Sequence, residues 1–563
     1  MPQITSPHSL FRIGAAAAPQ STAIGDTASQ SRYCYRFPDL AKDSRAGCFR
    51  GLSAAATFDR LKAFEKATRI PMSNLPMLRM PLPAVYTYFG QFVNHDISAP
   101  VGDVITRPDL PEPVEVIGAS DLAGLERRRR FSVPVILRQF INEQPNPLSL
   151  DSLYGEGPLS ADPEIRALYD ADGMSFRLGR TRREVDQVFI DQEQNPDLVA
   201  HARDAPDILR QDGKPLIADR RNDENLVISQ LHLGLLLFHN KAVAALKDRF
   251  PRDPAGCFAQ ARQLVLLHYH WLILHDFLDK LLSPAALRTP LAARPQTLPA
   301  ARTVPLEFTT AAFRFGHSMV GSAYDFNANF GTGSRLGNRG ASLQQLFQFT
   351  THRNMGSSAA ETLQLPDHWV IDWNRMSRPS GAAGGGGAER IDLTFASDML
   401  NAIGASDVAA HGSILFRNIM RGFHRRIPFG QVLAREYGVR VLDSGDIAAA
   451  LPPGFIDGPG SPRLPDFAAR NGLLQETPAW LYFLCEAHIR ESGERIGESA
   501  SHLIADTITG LMRHMPHSVL NHDGGTWHPD QTPFPTQPGG LTTIGALLQF
   551  AVKGTGAEEV GPG

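Results

Sequence analysis

From Asp223 to about Leu246 the chain sets leucines, isoleucines and two histidines at intervals that return to one side of a helix. An apolar helix of that length must be wrapped by other elements, which favours a thick helical core over a sandwich of sheets. A second long helix is predicted over about 256–282 and a third over about 306–320. Shorter helical patterns lie near 83–95, 133–141, 163–169, 390–403, 409–421, 428–435, 475–489 and 498–514, with Pro and Gly recurring between them. No long run alternates as a sheet would and no fixed period repeats, so the expected fold class is mainly α.

Residues 1–60 are rich in Ala, Gly, Ser and Arg with little periodicity and read as an N-terminal arm; 61–540 reads as one large domain and 541–563 as a tail. The proline-rich stretch 103–117 is not a regular element, and residues 380–388, with four glycines at 384–387, read as a mobile loop. A chain of 563 residues that is 42% apolar can bury a large core. Its formal charge of -3 gives no reason to expect nucleic acid or an anionic membrane as partner. No membrane span is expected, since no stretch approaches roughly 18 apolar residues. The first twenty residues lack a basic region followed by an apolar core, so a cytoplasmic location is expected, with export by another route left open. Cysteines 34, 48, 257 and 485 have neither disulfide-scaffold nor zinc-knuckle spacing, and Cys485 reads as a buried thiol.

Four separated places combine histidine, amide and charge in helical settings. Gln91 and His95 are four apart, share a helix face and are followed by Asp96. Arg221 and Glu224 are neighbours at a helix start, Arg314 and His317 repeat that spacing, and so do Asn418 and Arg421. Each has an ordinary reading alone: a core histidine, a helix-start ion pair, a surface arginine, an N-cap amide, a helix brace for Asp96. His268 and His275 invite a metal reading, but no carboxylate spacing supports it, and His232, His239 and His270 read with them as packing residues. Two histidines far apart, each on an apolar helix with an arginine nearby, suit a large planar anionic cofactor. Haem needs one axial imidazole, cations for its propionates and an apolar slot.

The stretches GQFVNHD (90–96), LDSLYG (150–155), ADRRNDENLVISQLHLGLLLFHN (218–240), FRFGHS (313–318) and RNIMRG (417–422) occur in an order that resembles the animal-type haem peroxidases, the superfamily of myeloperoxidase and cyclooxygenase, in a bacterial-type member. The resemblance covers roughly residues 65–530 and implies a large helical haem peroxidase domain. Within it His95 resembles the distal histidine, Gln91 its companion and Arg221 the distal arginine. His317 resembles the proximal iron ligand and Asn418 the amide holding its ring, while Arg314 and Arg421 look like propionate partners. The implied cofactor is haem b. The implied reaction reduces hydrogen peroxide while a small organic donor or a halide is oxidised.

Departures from the family pattern narrow this. Asn94 stands where an ester-forming aspartate is often found and cannot make that ester, and Asn225 stands where myeloperoxidase forms a sulfonium link. Glu224 falls on the second ester-forming carboxylate, so one haem link remains open. Fewer electron-withdrawing links argue against efficient chloride oxidation. For a family calcium site, Asp96, Ser149, Asp151 and backbone carbonyls are the candidates, with Pro145 where a threonine is often found. Cyclooxygenase carries a radical tyrosine three residues before the proximal histidine; that place is Arg314, and no motif points Tyr269 at haem. A fatty-acid dioxygenase or lipid hydroperoxidase of the same superfamily is the alternative, and a non-enzymatic haem-binding protein the third reading.

Overall fold

The computed structural model describes residues 31–43, 45–73, 76–101, 130–182, 200–211, 214–334, 340–351, 364–379, 386–400, 413–534, 539–557 and 561–562. The proline-rich stretch 103–117 and residues 1–30 and 380–385 lie outside the described residues.

Helices dominate. The main ones are α1 (Ala54–Ser73), α2 (Val85–Ile97), α3 (Leu226–Leu246), α4 (Pro254–Leu272), α5 (Ile414–His424), α6 (Gly430–Glu436), α7 (Ala479–Glu491), α8 (Glu498–Arg513) and α9 (Ile544–Val552). α3 is the hub: α2, α4 and α9 all pack on it. It is the one helix among the described residues long and apolar enough to cross a bilayer, contrary to the expectation that no stretch is. Of that stretch 89% is buried, which is the signature of a wrapped core helix. α4 runs on through a π-turn (Ile273–Phe277) into Leu278–Leu281, as the 256–282 prediction required.

The predicted helix over 306–320 is broken. Leu306–Thr310 is α-helical, Ala311 leaves helical geometry (φ −125°, ψ −62°), and Ala312–His317 forms 3-10 turns. Arg314 Nε donates to the Thr309 carbonyl (2.8 Å) and Phe308 stacks on Phe313, local contacts that take over from the regular ladder. The 390–403 prediction also fails in part: only Ser397–Leu400 is helical among the described residues. Gly387–Glu389 pairs as a strand with Arg79–Pro83, so the glycine run, expected as a loop throughout, ends inside a sheet.

A small four-stranded sheet ties the working ends of the molecule together. Arg32–Cys34 pairs in parallel with Thr303–Pro305 and antiparallel with Ile141–Asn142, which pairs with Pro100–Val101. The exit of α2 and the approach to the His317 segment are thereby clamped to one another. The described residues of 31–60 are thus packed structure, not an arm: Tyr33, Phe49 and Phe58 are core residues. The stretch expected as a tail contributes α9, whose first amide donates to buried Asp276 at 2.8 Å. α9 also lies so close to α3 that a Cβ on Gly234 would come within 2.4 Å of Leu548 Cδ2.

Candidate active site

The sequence Asp-Arg-Arg-Asn-Asp-Glu-Asn (219–225) folds through two successive caps. Asp219 accepts from the Arg221 amide (3.0 Å) to start the 3-10 turn Arg220–Asp223, and Asn225 accepts from the Ile228 amide (3.0 Å) to start α3. Glu224 is held between the caps, facing α2.

On α2, His95 is buried and its Nδ1 lies 2.9 Å from Asn222 Oδ1. Asn222 directs its Nδ2 at the Ser152 carbonyl (3.4 Å) and His232 Nδ1 (3.1 Å), so its oxygen is the acceptor for His95. The proton of His95 therefore sits on Nδ1 and the lone pair on Nε2, which points toward Glu224 Oε2 at 4.0 Å. Burial, then the Arg221 guanidinium, push the His95 pKa down, so the ring is a neutral base. Gln91 joins the group: its Nε2 donates to Glu224 Oε2 (3.2 Å) and its Oε1 accepts from Asn225 (3.3 Å). Burial raises the Glu224 pKa against the pull of His95 and Arg221.

Arg221 is gripped from its own turn. Its Nε and Nη2 reach Asp219 (3.0 and 2.6 Å), Nη2 donates to the His95 carbonyl (2.8 Å) and Nη1 to the Ser98 carbonyl (2.7 Å). Burial opposes ionisation of Asp219, but the Arg221 contacts hold the carboxyl below its usual range. Gln144 adds bonds to the His95 carbonyl and to Asp219. Four side-chain contacts thus engage Arg221, two on the Asp219 carboxylate and two on backbone carbonyls at the C-terminal end of α2.

The second half lies on the 3-10 segment and α5. Burial, then Arg314, Arg421 and Arg417, drive the His317 pKa well down, leaving a neutral imidazole. The amide of buried Asn418 lies 3.0 Å from His317 Nδ1, and its Oδ1 meets no other partner. The two ends of an amide are interchangeable in space. With Oδ1 turned to the ring it accepts from Nδ1–H, both groups are satisfied, and Nε2 keeps its lone pair. Burial, and Arg221 after it, work against charge on Arg314, whose Nε donates to the Thr309 carbonyl. Arg314 feels both Arg221 and Glu224, so the two halves border one space.

These residues fit haem. One neutral imidazole has an acceptor behind it, the half-buried Arg314 guanidinium has no carboxylate partner among the described residues, and Arg417 and Arg421 lie close by. A Cβ on Gly316 or Gly422 would meet no atom within 4 Å, so the backbone beside His317 and Arg421 is open to an approaching group.

The calcium candidates are engaged with neighbouring protein groups. Asp96 is buried and accepts from the Leu150 amide, the Ser152 amide and the Ser152 hydroxyl (3.1, 3.3 and 2.9 Å), and burial, then Asp151, lift its pKa to about 7. Asp151 is paired with Arg262 (3.1 Å) and with the Asn146 amide (2.8 Å), while Ser149 Oγ donates to the Asn146 carbonyl (2.6 Å). An arginine already balances the carboxylate, and the other carboxyl is shaped by N–H donors. The expected ligands Asp96, Ser149 and Asp151 are thus linked to their surroundings by hydrogen bonds and one ion pair. Tyr269 is buried, with burial and then Asp96 raising its pKa. The five helix histidines at 232, 239, 268, 270 and 275 contribute no metal-ligating group among the described residues.

Sequence reasoning missed Asn222, Gln144 and Tyr33. Asn222 lies inside a quoted motif, yet nothing in its type distinguishes a tautomer-setting amide. Tyr33 lies in the segment expected as an arm but sits near Arg425, Arg221 and Arg314.

Residues 137–365 match the family model for animal haem peroxidases, a span that includes Arg221, Glu224, Arg314 and His317. Thyroid peroxidase of Homo sapiens is 28% identical over 189 residues, 32% of this chain and 20% of that protein, so the chain matches about a fifth of that relative's length. Peroxidase A from Dictyostelium discoideum aligns over 88% of this chain and 90% of its own, at TM-score 0.52 and 17% identity. Fatty acid alpha-dioxygenase of Arabidopsis thaliana aligns over 89% of this chain and 76% of its own, at TM-score 0.53 and 11% identity. These likenesses establish the fold.

Proposed function

We propose that the protein, whose residues 137–365 match the animal haem peroxidase family model, is a haem peroxidase, reducing hydrogen peroxide with two electrons from a small organic donor or a halide. The observation that carries the reading is the placement of His95: its Nδ1 lies 2.9 Å from Asn222 Oδ1 and its Nε2 faces Glu224 at 4.0 Å, an arrangement that suits a neutral imidazole acting as a base. A haem carrier has no use for such a base.

His317 Nε2 would hold the haem iron, with Asn418 accepting from its other nitrogen, and Arg314 and Arg421 would meet the propionates. Haem, when bound, supplies the redox chemistry that splits the O–O bond. His95 Nε2 takes a proton from the attacking peroxide oxygen and returns it to the departing one, so that oxygen leaves as water. Asn222 keeps the ring in the productive tautomer throughout. Arg221 holds the α2 backbone at His95 and Ser98, and its guanidinium favours negative charge nearby. Gln91 orders the polar side of the cavity with Glu224. Glu224 is also the carboxylate suited to one ester link with haem.

A dioxygenase of the cyclooxygenase type would place a tyrosine three residues before His317, and Arg314 occupies that position. The test is the absorption spectrum of the haem-reconstituted chain and of His317→Ala, before and after peroxide and after a one-electron donor. A Soret band altered in the variant, and a peroxide-induced spectrum that the donor reverses, support the peroxidase. Oxygen uptake with a fatty acid and no donor turnover would replace it with the dioxygenase.

A further inference from the structure

Outside the haem site, the described residues hold one group with a metal-ligand donor set: His201, Asp367 and His368, whose ligand atoms lie within 4.8 Å of one another. We propose that these three side chains form a second, non-haem site for a divalent first-row metal ion of the zinc class.

Two imidazoles and one carboxylate suit Zn2+ with a fourth position left for water. His201 Nδ1 and Asp367 Oδ1 already stand 2.6 Å apart, and His368 is fully buried beside them. His201 keeps about a tenth of its side chain exposed, which supplies an entrance. The ligands come from segments more than 160 positions apart, and their backbones are bolted together. Buried Asn329 accepts from the Ala200 amide (2.7 Å) and donates to the Ala200 carbonyl (2.7 Å) and the His368 carbonyl (3.0 Å). Buried Asn327 donates to the His368 and Val370 carbonyls (3.0 and 2.8 Å). The Ala202 amide donates to the Asp367 carbonyl (3.3 Å) and the Asp367 amide to Arg182 (2.9 Å). Side-chain amides thus hold both ligand segments in place before any ion arrives, the preorganisation a metal site needs.

The haem-loaded full chain, stripped with a chelator, is dialysed against dilute Zn2+ and then against buffer, and protein-bound zinc is measured by elemental analysis. X-ray absorption at the zinc edge, which ignores haem iron, reads the ligands. One zinc per chain is expected, with two imidazoles and one carboxylate oxygen, and loss of that zinc in His201→Gln and Asp367→Asn. Wild type that retains no zinc, or variants that retain as much as wild type, would overturn the site and leave His201–Asp367 a hydrogen-bonded pair. Should a variant fail to fold, fewer than two imidazoles around zinc in the wild type overturns it equally.

Discussion

Nη2 of Arg221 donates to the backbone carbonyl of His95 at 2.8 Å, while Nη1 of the same guanidinium takes the carbonyl of Ser98 at 2.7 Å. Arg221 therefore secures the last turn of the helix that presents His95, and its substitution loosens the base as well as removing a charge. Arg221→Gln is expected to slow the reaction with peroxide about 10²-fold and to destabilise the fold by about 3 kcal/mol, since Asp219 is left without its cation. Stopped-flow kinetics and denaturant unfolding check the two effects. Unchanged stability with slowed kinetics would restrict Arg221 to charge stabilisation.

Asn222 sets the His95 tautomer. Asn222→Leu, similar in size but unable to accept, frees the proton to move to Nε2. The peroxide rate should fall by about 10²–10³-fold, with an altered pH–rate profile and an intact haem spectrum.

Asn418 fastens the His317 ring. Asn418→Leu leaves Nδ1–H buried without an acceptor, so haem should be lost about 10–100-fold more readily. Transfer of haem to an excess of apomyoglobin, followed by absorbance, measures this.

The Asp96–Asp151–Arg262 network predicts indifference to calcium: chelator should leave the unfolding temperature unchanged. It also predicts a sign. Asp96 has an ordinary pKa of 3.8 unfolded and about 7 folded. Between these values the folded state binds the extra proton, so raising the pH across the window costs stability, and above it the cost is constant. The stability of Asp96→Asn relative to wild type should climb from pH 4 to pH 7 and then level off. Loss of stability on chelation would return Asp96 to the role of a calcium ligand.

Glu224 predicts that haem stays attached to the chain in acidified organic solvent after exposure to peroxide. Glu224→Gln, which cannot form the ester, should release it. Mass spectrometry of the protein fraction distinguishes the two.

Helical stripes and motif order were legible in the sequence because both are local: α3 shows its character in every turn, and His95, Arg221 and His317 sit in recognisable strings. The break at Ala311 was not legible, since it depends on whether Arg314 and Phe313 fold back on Thr309 and Phe308. Nor was the strand at Gly387–Glu389, which requires the distant partner Arg79–Pro83. The sequence by itself determined the helical class, the chemistry of the side chains offered, and the exclusion of an ester at Asn94. Only the tertiary structure decided that Asn222 faces His95, that Arg262 balances Asp151, and that His201 meets Asp367. Such pairings depend on chain segments remote in sequence meeting within a few ångströms, and residue type alone does not encode the direction in which a side chain will find its partner.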